Sequence, residues 1–148
     1  MARSAYVTDL KGLQGECSAN YLRLTRLLGD LPAGETRELE LTGKRGRFGT
    51  LLLAVLERAP YTTIARVTQS GIMDTLIEPP RMRVHLYHDV RMAEVTDFQR
   101  ERHFDGRYRY PNLRMFQPDE KLQLNRFLGE WLAHGLAHGH TVDQPQLP

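Results

Sequence analysis

Eight side chains of this sequence have the types to do chemistry together: Arg83, His85, Tyr87, His88, Asp89, Glu94, Arg107 and Tyr110. Six of them fall in Met82 to Thr96, MRVHLYHDVRMAEVT. Arg107 and Tyr110 follow in GRYRYPN, Gly106 to Asn112. His88, Asp89 and Glu94 are the candidate catalytic residues: an imidazole titrates near neutrality, and carboxylates can orient it or take its proton. A hydrolase would also need a nucleophile or a metal, and the sequence names neither. Arg83, His85, Tyr87, Arg107 and Tyr110 are the candidate ligand-binding residues. Guanidinium forks grip planar anions, and aromatic rings stack on bases and cations. The competing reading is structural. Asp89 then opens a turn, and the arginines, tyrosines and acids form an internal network of ion pairs and cation–π contacts.

Spacing narrows these options. Side chains alternate along a strand, so His85 and His88 face opposite ways and cannot chelate together without a bulge. His134 and His138 share one side of a helix and His140 follows. The glutamate of helical zinc motifs is missing, and a histidine at a helix C-terminus is explained by capping and the dipole. No metal site and no cofactor is expected. Cys17 sits in an apolar stripe with no adjacent lysine or histidine, which makes it a core residue rather than a nucleophile. Gly43 to Gly49 (GKRGRFG) is basic and glycine-rich but lacks the phosphate-loop spacing, so it reads as a hairpin turn.

These groups need a frame to hold them. A chain of 148 residues suits one domain, read as 10–139, after an N-terminal arm 1–9 and before a flexible C-terminal tail 140–148. One cysteine excludes an internal disulfide, and no apolar leader or membrane-length run occurs, so a cytoplasmic location is expected. Seventeen of the 20 basic residues are arginine. That bias suits anion recognition, and it also arises without functional meaning from GC-rich coding.

Leu13, Cys17, Tyr21, Leu24 and Leu28 recur at helical spacing and predict a helix over Leu10 to Leu28, with Asn20 as a polar break that narrows the stripe. Gly29 and Pro32 stop it. Thr36 to Thr42, Phe48 to Arg58 and Tyr61 to Gln69 read as strands. Met82 to His88 and Val90 to Thr96 read as a hairpin, and Arg107 to Tyr110 as a last short strand. Pro118 to His138 reads as the second helix, with a stripe of Leu124, Phe127, Leu128, Trp131, Leu132 and Leu136 and a closing Gly139. The connections are too short for parallel crossovers. The expected fold is α+β: a mainly antiparallel meander sheet of five or six strands, with both helices on one face. The opposite face then carries Arg83, His85, Tyr87 and Arg107.

Three strings give a resemblance: CSANYLRLTRLL (Cys17 to Leu28), LYHDVRMAEV (Leu86 to Val95), and RYRYPN with the later PDEKLQLNRFLGEWL and LAHG. On these the chain resembles the YqiB-like family of uncharacterised bacterial proteins, a domain of unknown function, over residues 13–139. The resemblance implies no established activity.

The leading expectation is a non-enzymatic binding or adaptor protein that uses the Arg/Tyr/His-bearing sheet face. Its partner would be another protein, a second copy in a homodimer, or an anionic small molecule. A small enzyme or nucleotide-binding protein using His88, Asp89, Glu94 and Arg107 is the alternative. A single-stranded nucleic-acid module is the third reading; the interleaved acids Asp89, Glu94, Glu101 and Asp105 speak against it. No membrane partner is expected.

Overall fold

A computed structural model describes residues 2–71, 79–99 and 118–141. The first helix, α1, runs Ala2–Leu28. Its start lies before Leu10, because nothing in residues 2–9 breaks a helix, so the N-terminal arm supplies its first turns. It ends where the stop signals place it: Gly29 adopts φ 53° and donates its N–H to Thr25 O at 2.9 Å. Two arginines hold the exposed carbonyls of that end. Arg37 Nη1 donates to Leu27 O and Leu28 O, and Arg58 donates to Leu31 O and Gly29 O. Part of the arginine bias is therefore spent on helix capping.

Five strands follow: β1 (Thr36–Gly43), β2 (Gly46–Arg58), β3 (Thr62–Gly71), β4 (Arg81–Tyr87) and β5 (Met92–Gln99). The second helix, α2, spans Pro118–His138, and a three-residue strand, β6 (Gly139–Thr141), comes after it. The sheet order is β5-β4-β3-β2-β1-β6, with every neighbouring pair antiparallel. The GKRGRFG loop is the expected hairpin turn: Gly43 pairs with Gly46, and Gly46 takes φ 100°, which a side chain would resist. The predicted strand Arg107 to Tyr110 lies outside the described residues.

Alternation decides what each face carries. Leu39 and Leu41 of β1, Leu51, Leu53 and Val55 of β2, Ala65 and Val67 of β3, Met82, Val84 and Leu86 of β4, and Ala93 and Val95 of β5 are all buried. They meet Tyr21, Leu24, Leu27 and Leu28 of α1 and Leu128, Trp131 and Leu132 of α2 in one core. Both helices therefore cover the same face of the sheet. Gly135 brings α2 close to it: a Cβ there would stand 2.7 Å from Leu51 Cδ2.

Three expectations change. Asn20 does not interrupt the α1 stripe; it is fully buried and bonds across to α2. Phe127 and Leu136 lie at the margins of the α2 stripe, each 39% exposed. Gly139 is not a left-handed cap. It opens β6 and pairs with Leu41, so the first residues of the expected tail, His140 and Thr141, join the sheet. Glycine is needed there because a Cβ would stand 2.5 Å from Gly135 O.

Candidate functional site

The sheet face opposite the helices is built in rows, because antiparallel pairing places one side chain per strand at each level. One row reads Thr36, Ala54, Arg66, Arg83 and Asp97 from β1 to β5. The row beside it reads Glu38, Leu52, Thr68, Arg81 and Gln99. On the other side lie Ile64, His85 and Glu94, then Thr62, Tyr87 and Met92. Arg83, His85 and Tyr87 thus share the face expected of them. Arg107 and Tyr110 lie outside the described residues.

Arg66 stands directly opposite Arg83, and both are exposed. Like charges facing each other across two strands repel. Neither side chain has an ion-pair or hydrogen-bond partner among the described residues. Arg66 is absent from the sequence-based candidates, although its signal was there. Thr62, Ile64, Arg66 and Thr68 alternate in β3, and pairing β3 with β4 puts Arg66 beside Arg83.

Next to this pair, the rings of His85 and Tyr87 stack with centroids 6.0 Å apart and planes at 25°. His85 Nδ1 lies 3.0 Å from Thr96 Oγ1. Burial, and then the Arg83 charge, hold the imidazole below its ordinary pKa. The Tyr87 hydroxyl donates to Glu94 Oε1 at 3.3 Å, and Glu94 also pairs with Lys121 of α2. Burial, and then Glu94, raise the Tyr87 pKa. This chain links the open face, across the β5 edge, to the helix layer.

His88 is elsewhere. Its ring lies on the helix side, with Nδ1 2.8 Å from Tyr21 Oη and Nε2 2.8 Å from Thr63 Oγ1. Its backbone N–H donates to Tyr61 O at 2.9 Å. Asp89 is exposed in the turn, where its Oδ1 accepts from Val90 N at 3.0 Å. Arg91, at φ 57°, completes that turn. No hydrogen bond among the described residues joins His88 to Asp89 or Glu94, so the structure brings Arg83, His85, Tyr87 and Glu94 together and leaves His88 apart.

His134 and His138 of α2 lie 6.2 Å apart between centroids, and Phe48 is edge-on to both, at 6.3 and 5.8 Å. Phe48 reaches them because the β1–β2 register slips after Leu41, leaving it as the extra residue of a bulge. Among the described residues no group of three or more histidine, cysteine, aspartate or glutamate side chains is placed to hold a metal ion.

Cys17 is 6% exposed, and its Sγ lies 3.8 Å from Asn125 Oδ1. Burial pushes its thiol from 9.0 up to about 11. The neutral thiol is the form the fold prefers. Its stabilisation is complete below pH 9, where both folded and unfolded thiols are protonated, and is lost as pH rises from 9 towards 11. The loss is on the order of 3 kcal/mol at most. Cys17→Ala should flatten the fall in stability over that interval, read from unfolding midpoints at successive pH values. An unchanged slope would count against it.

Among the described residues, one antiparallel sheet with a two-helix layer on one face and exposed arginines on the other defines an α+β protein. The chain belongs to the family described as "Protein of unknown function (DUF1249)", whose model matches residues 23–141. It is 38% identical over 136 residues to "Uncharacterized protein YqiB" of Escherichia coli K12, covering 90% of this chain and 93% of that protein. The same identity and coverage hold for the protein of that name in E. coli O6:H1. No solved structure matches the chain. Among the described residues no helix is long and apolar enough to cross a membrane.

Proposed function

We propose that this is a non-enzymatic cytoplasmic binding or adaptor protein that works through the open face of its sheet. The observation that carries this reading is the Arg66–Arg83 pair. Two like charges are held opposite one another, neither in an ion pair among the described residues although Asp97 stands across from Arg83, on a face the helices leave uncovered. Such a pair gains when a partner brings carboxylates or another anion, because a guanidinium accepts a planar anion on two donors. The stacked His85 and Tyr87 widen the surface with an apolar body and polar tips. Acids border the arginines, with Glu38 and Glu40 on β1 and Glu94 and Asp97 on β5. A long polyanion such as a nucleic acid would meet those carboxylates, whereas a folded protein surface can alternate its charges to match.

The test is site-specific photo-crosslinking in the native host. A photoreactive amino acid at Thr68, in the middle of the open face, is expected to give a discrete adduct. The same residue at Glu130, exposed on α2, is expected to give none. Equal labelling at the two positions, or none at Thr68, would overturn the reading.

A further inference from the structure

We infer that the occupant of the open face is a second copy of this chain, packed face to face about a two-fold axis that runs along the strands between β2 and β3. This rests on the reading that the open face is the binding surface. The argument is the order of charge across the sheet. From one edge to the other, the open-face side chains include His140 on β6; Glu38 and Glu40 on β1; Arg47 (ion-paired with Glu40), Thr50, Leu52, Ala54 and Glu57 on β2; Ile64, Arg66 and Thr68 on β3; Arg81, Arg83 and His85 on β4; and Glu94 and Asp97 on β5. Strand by strand, this runs neutral, acidic, mixed, basic, basic, acidic, with the open-face base and the open-face acid of β2, Arg47 and Glu57, at opposite ends of that strand.

An isologous interface must place this pattern on itself. Two sheets stacked face to face have two simple choices of axis in the plane between them. An axis across the strands lays each strand on its own equivalent, so arginines meet arginines and glutamates meet glutamates. An axis along the strands reverses the lateral order. Acidic β1 then lies over basic β4, acidic β5 lies over β6 with its histidine, and β2 lies over β3. Neither acidic strand then meets the other, and neither do the two basic strands.

The antiparallel rows stay level under this second operation. Thr36 therefore lies over Arg83 of the partner subunit, with Glu38 one row away. Arg66 lies over the partner's Ala54, a side chain small enough to leave room, and reaches outward toward the partner's Glu38. Across the axis Leu52 lies over the partner's Thr68, and Ile64 over the partner's Glu57. The size also fits. Five strands about 4.8 Å apart and seven residues at about 3.4 Å give a face of roughly 24 by 24 Å, or about 580 Å² per copy, to which the three-residue β6 adds a little. Stable interfaces start at about 600 Å² per partner.

Charge exchange tests the arrangement. The wild-type chain is expected to sediment as a dimer at roughly 100 µM, above the micromolar limit of standard-size interfaces. Glu38→Arg and Arg83→Glu should each weaken self-association more than about tenfold, because every contact between these positions becomes repulsive. An equimolar mixture of the two variants should recover a heterodimer, since both of its contacts are then attractive. The double variant should recover a homodimer. Glu38 and Arg83 are both exposed, so the variants keep the fold, and their unfolding midpoints check this.

A monomeric wild type at that concentration, a dimer indifferent to the single exchanges, or a mixture with no heterodimer would each overturn the arrangement. The Thr68 crosslink separates this failure from that of the broader reading. An adduct with a different protein overturns the second copy and keeps the binding face; no adduct removes both.

Discussion

Asn125→Leu should destabilise the fold by about 3 kcal/mol, although leucine is the more apolar residue and has the same branched heavy-atom skeleton. Asn125 is fully buried where α1, α2 and β5 meet. Its Oδ1 accepts the backbone N–H of Val95 at 3.0 Å and lies 3.8 Å from Cys17 Sγ. Its Nδ2 donates to Lys121 O at 2.8 Å, and its own carbonyl accepts from Asn20 Nδ2, also at 2.8 Å. Leucine keeps the branched shape but its methyl groups are bulkier, so the loss combines polar groups stranded without partners with some overpacking. The Val95 amide alone costs about 1–3 kcal/mol when buried and unbonded. Asn20, held by Arg23 Nη1 at 2.7 Å, then sits in a distorted socket and adds to the total. Urea unfolding of the two proteins reads the difference. A loss under about 1 kcal/mol would mean that water replaces the side chain, and the network would not be the clamp described here.

His88→Ala should cost about 2 kcal/mol in stability and leave self-association unchanged. The ring bridges Tyr21 of α1 and Thr63 of β3, and Thr63 is only 1% exposed. Removing it strands a buried hydroxyl and cuts a tie between the helix layer and the sheet. A cycle with Thr63→Val distinguishes this role from a chemical one. Once His88 is gone, the second change should cost much less than it does alone, because both act on one bond. Full stability in His88→Ala, together with altered association or ligand binding, would return His88 to the list of site residues.

The helix Pro118–His138 was legible residue for residue, because a proline start and a repeating apolar stripe carry local information. The hairpin that carries Arg83, His85 and Tyr87 was legible as well, since strand alternation sorts faces without knowledge of partners. The unread part depends on distant pairing. Asn20 looked like a flaw in a stripe because its partner is 105 residues away. Arg66 became notable only when the β3–β4 register placed it opposite Arg83. Phe48 reaches the helix side only through a bulge, and Gly139 reads as a helix stop until the edge of β1 is there to receive it. His88 and Asp89 are adjacent in sequence, yet the turn sends one ring into the helix layer and leaves the other side chain in solvent.

The packing of α2 against α1 and of β6 against β1 also sets a timetable for synthesis. The meander β1–β5 can pair as it emerges, since each strand meets the one before it. Its apolar face stays half roofed until residues 118–141 have left the ribosome, because Leu128, Trp131 and Leu132 complete the cover and β6 closes the free edge of β1. The nascent chain therefore carries a half-covered apolar sheet from the emergence of β5 until α2 follows. That is the interval in which a chaperone would find it, and in which two chains on one message could meet by the wrong face.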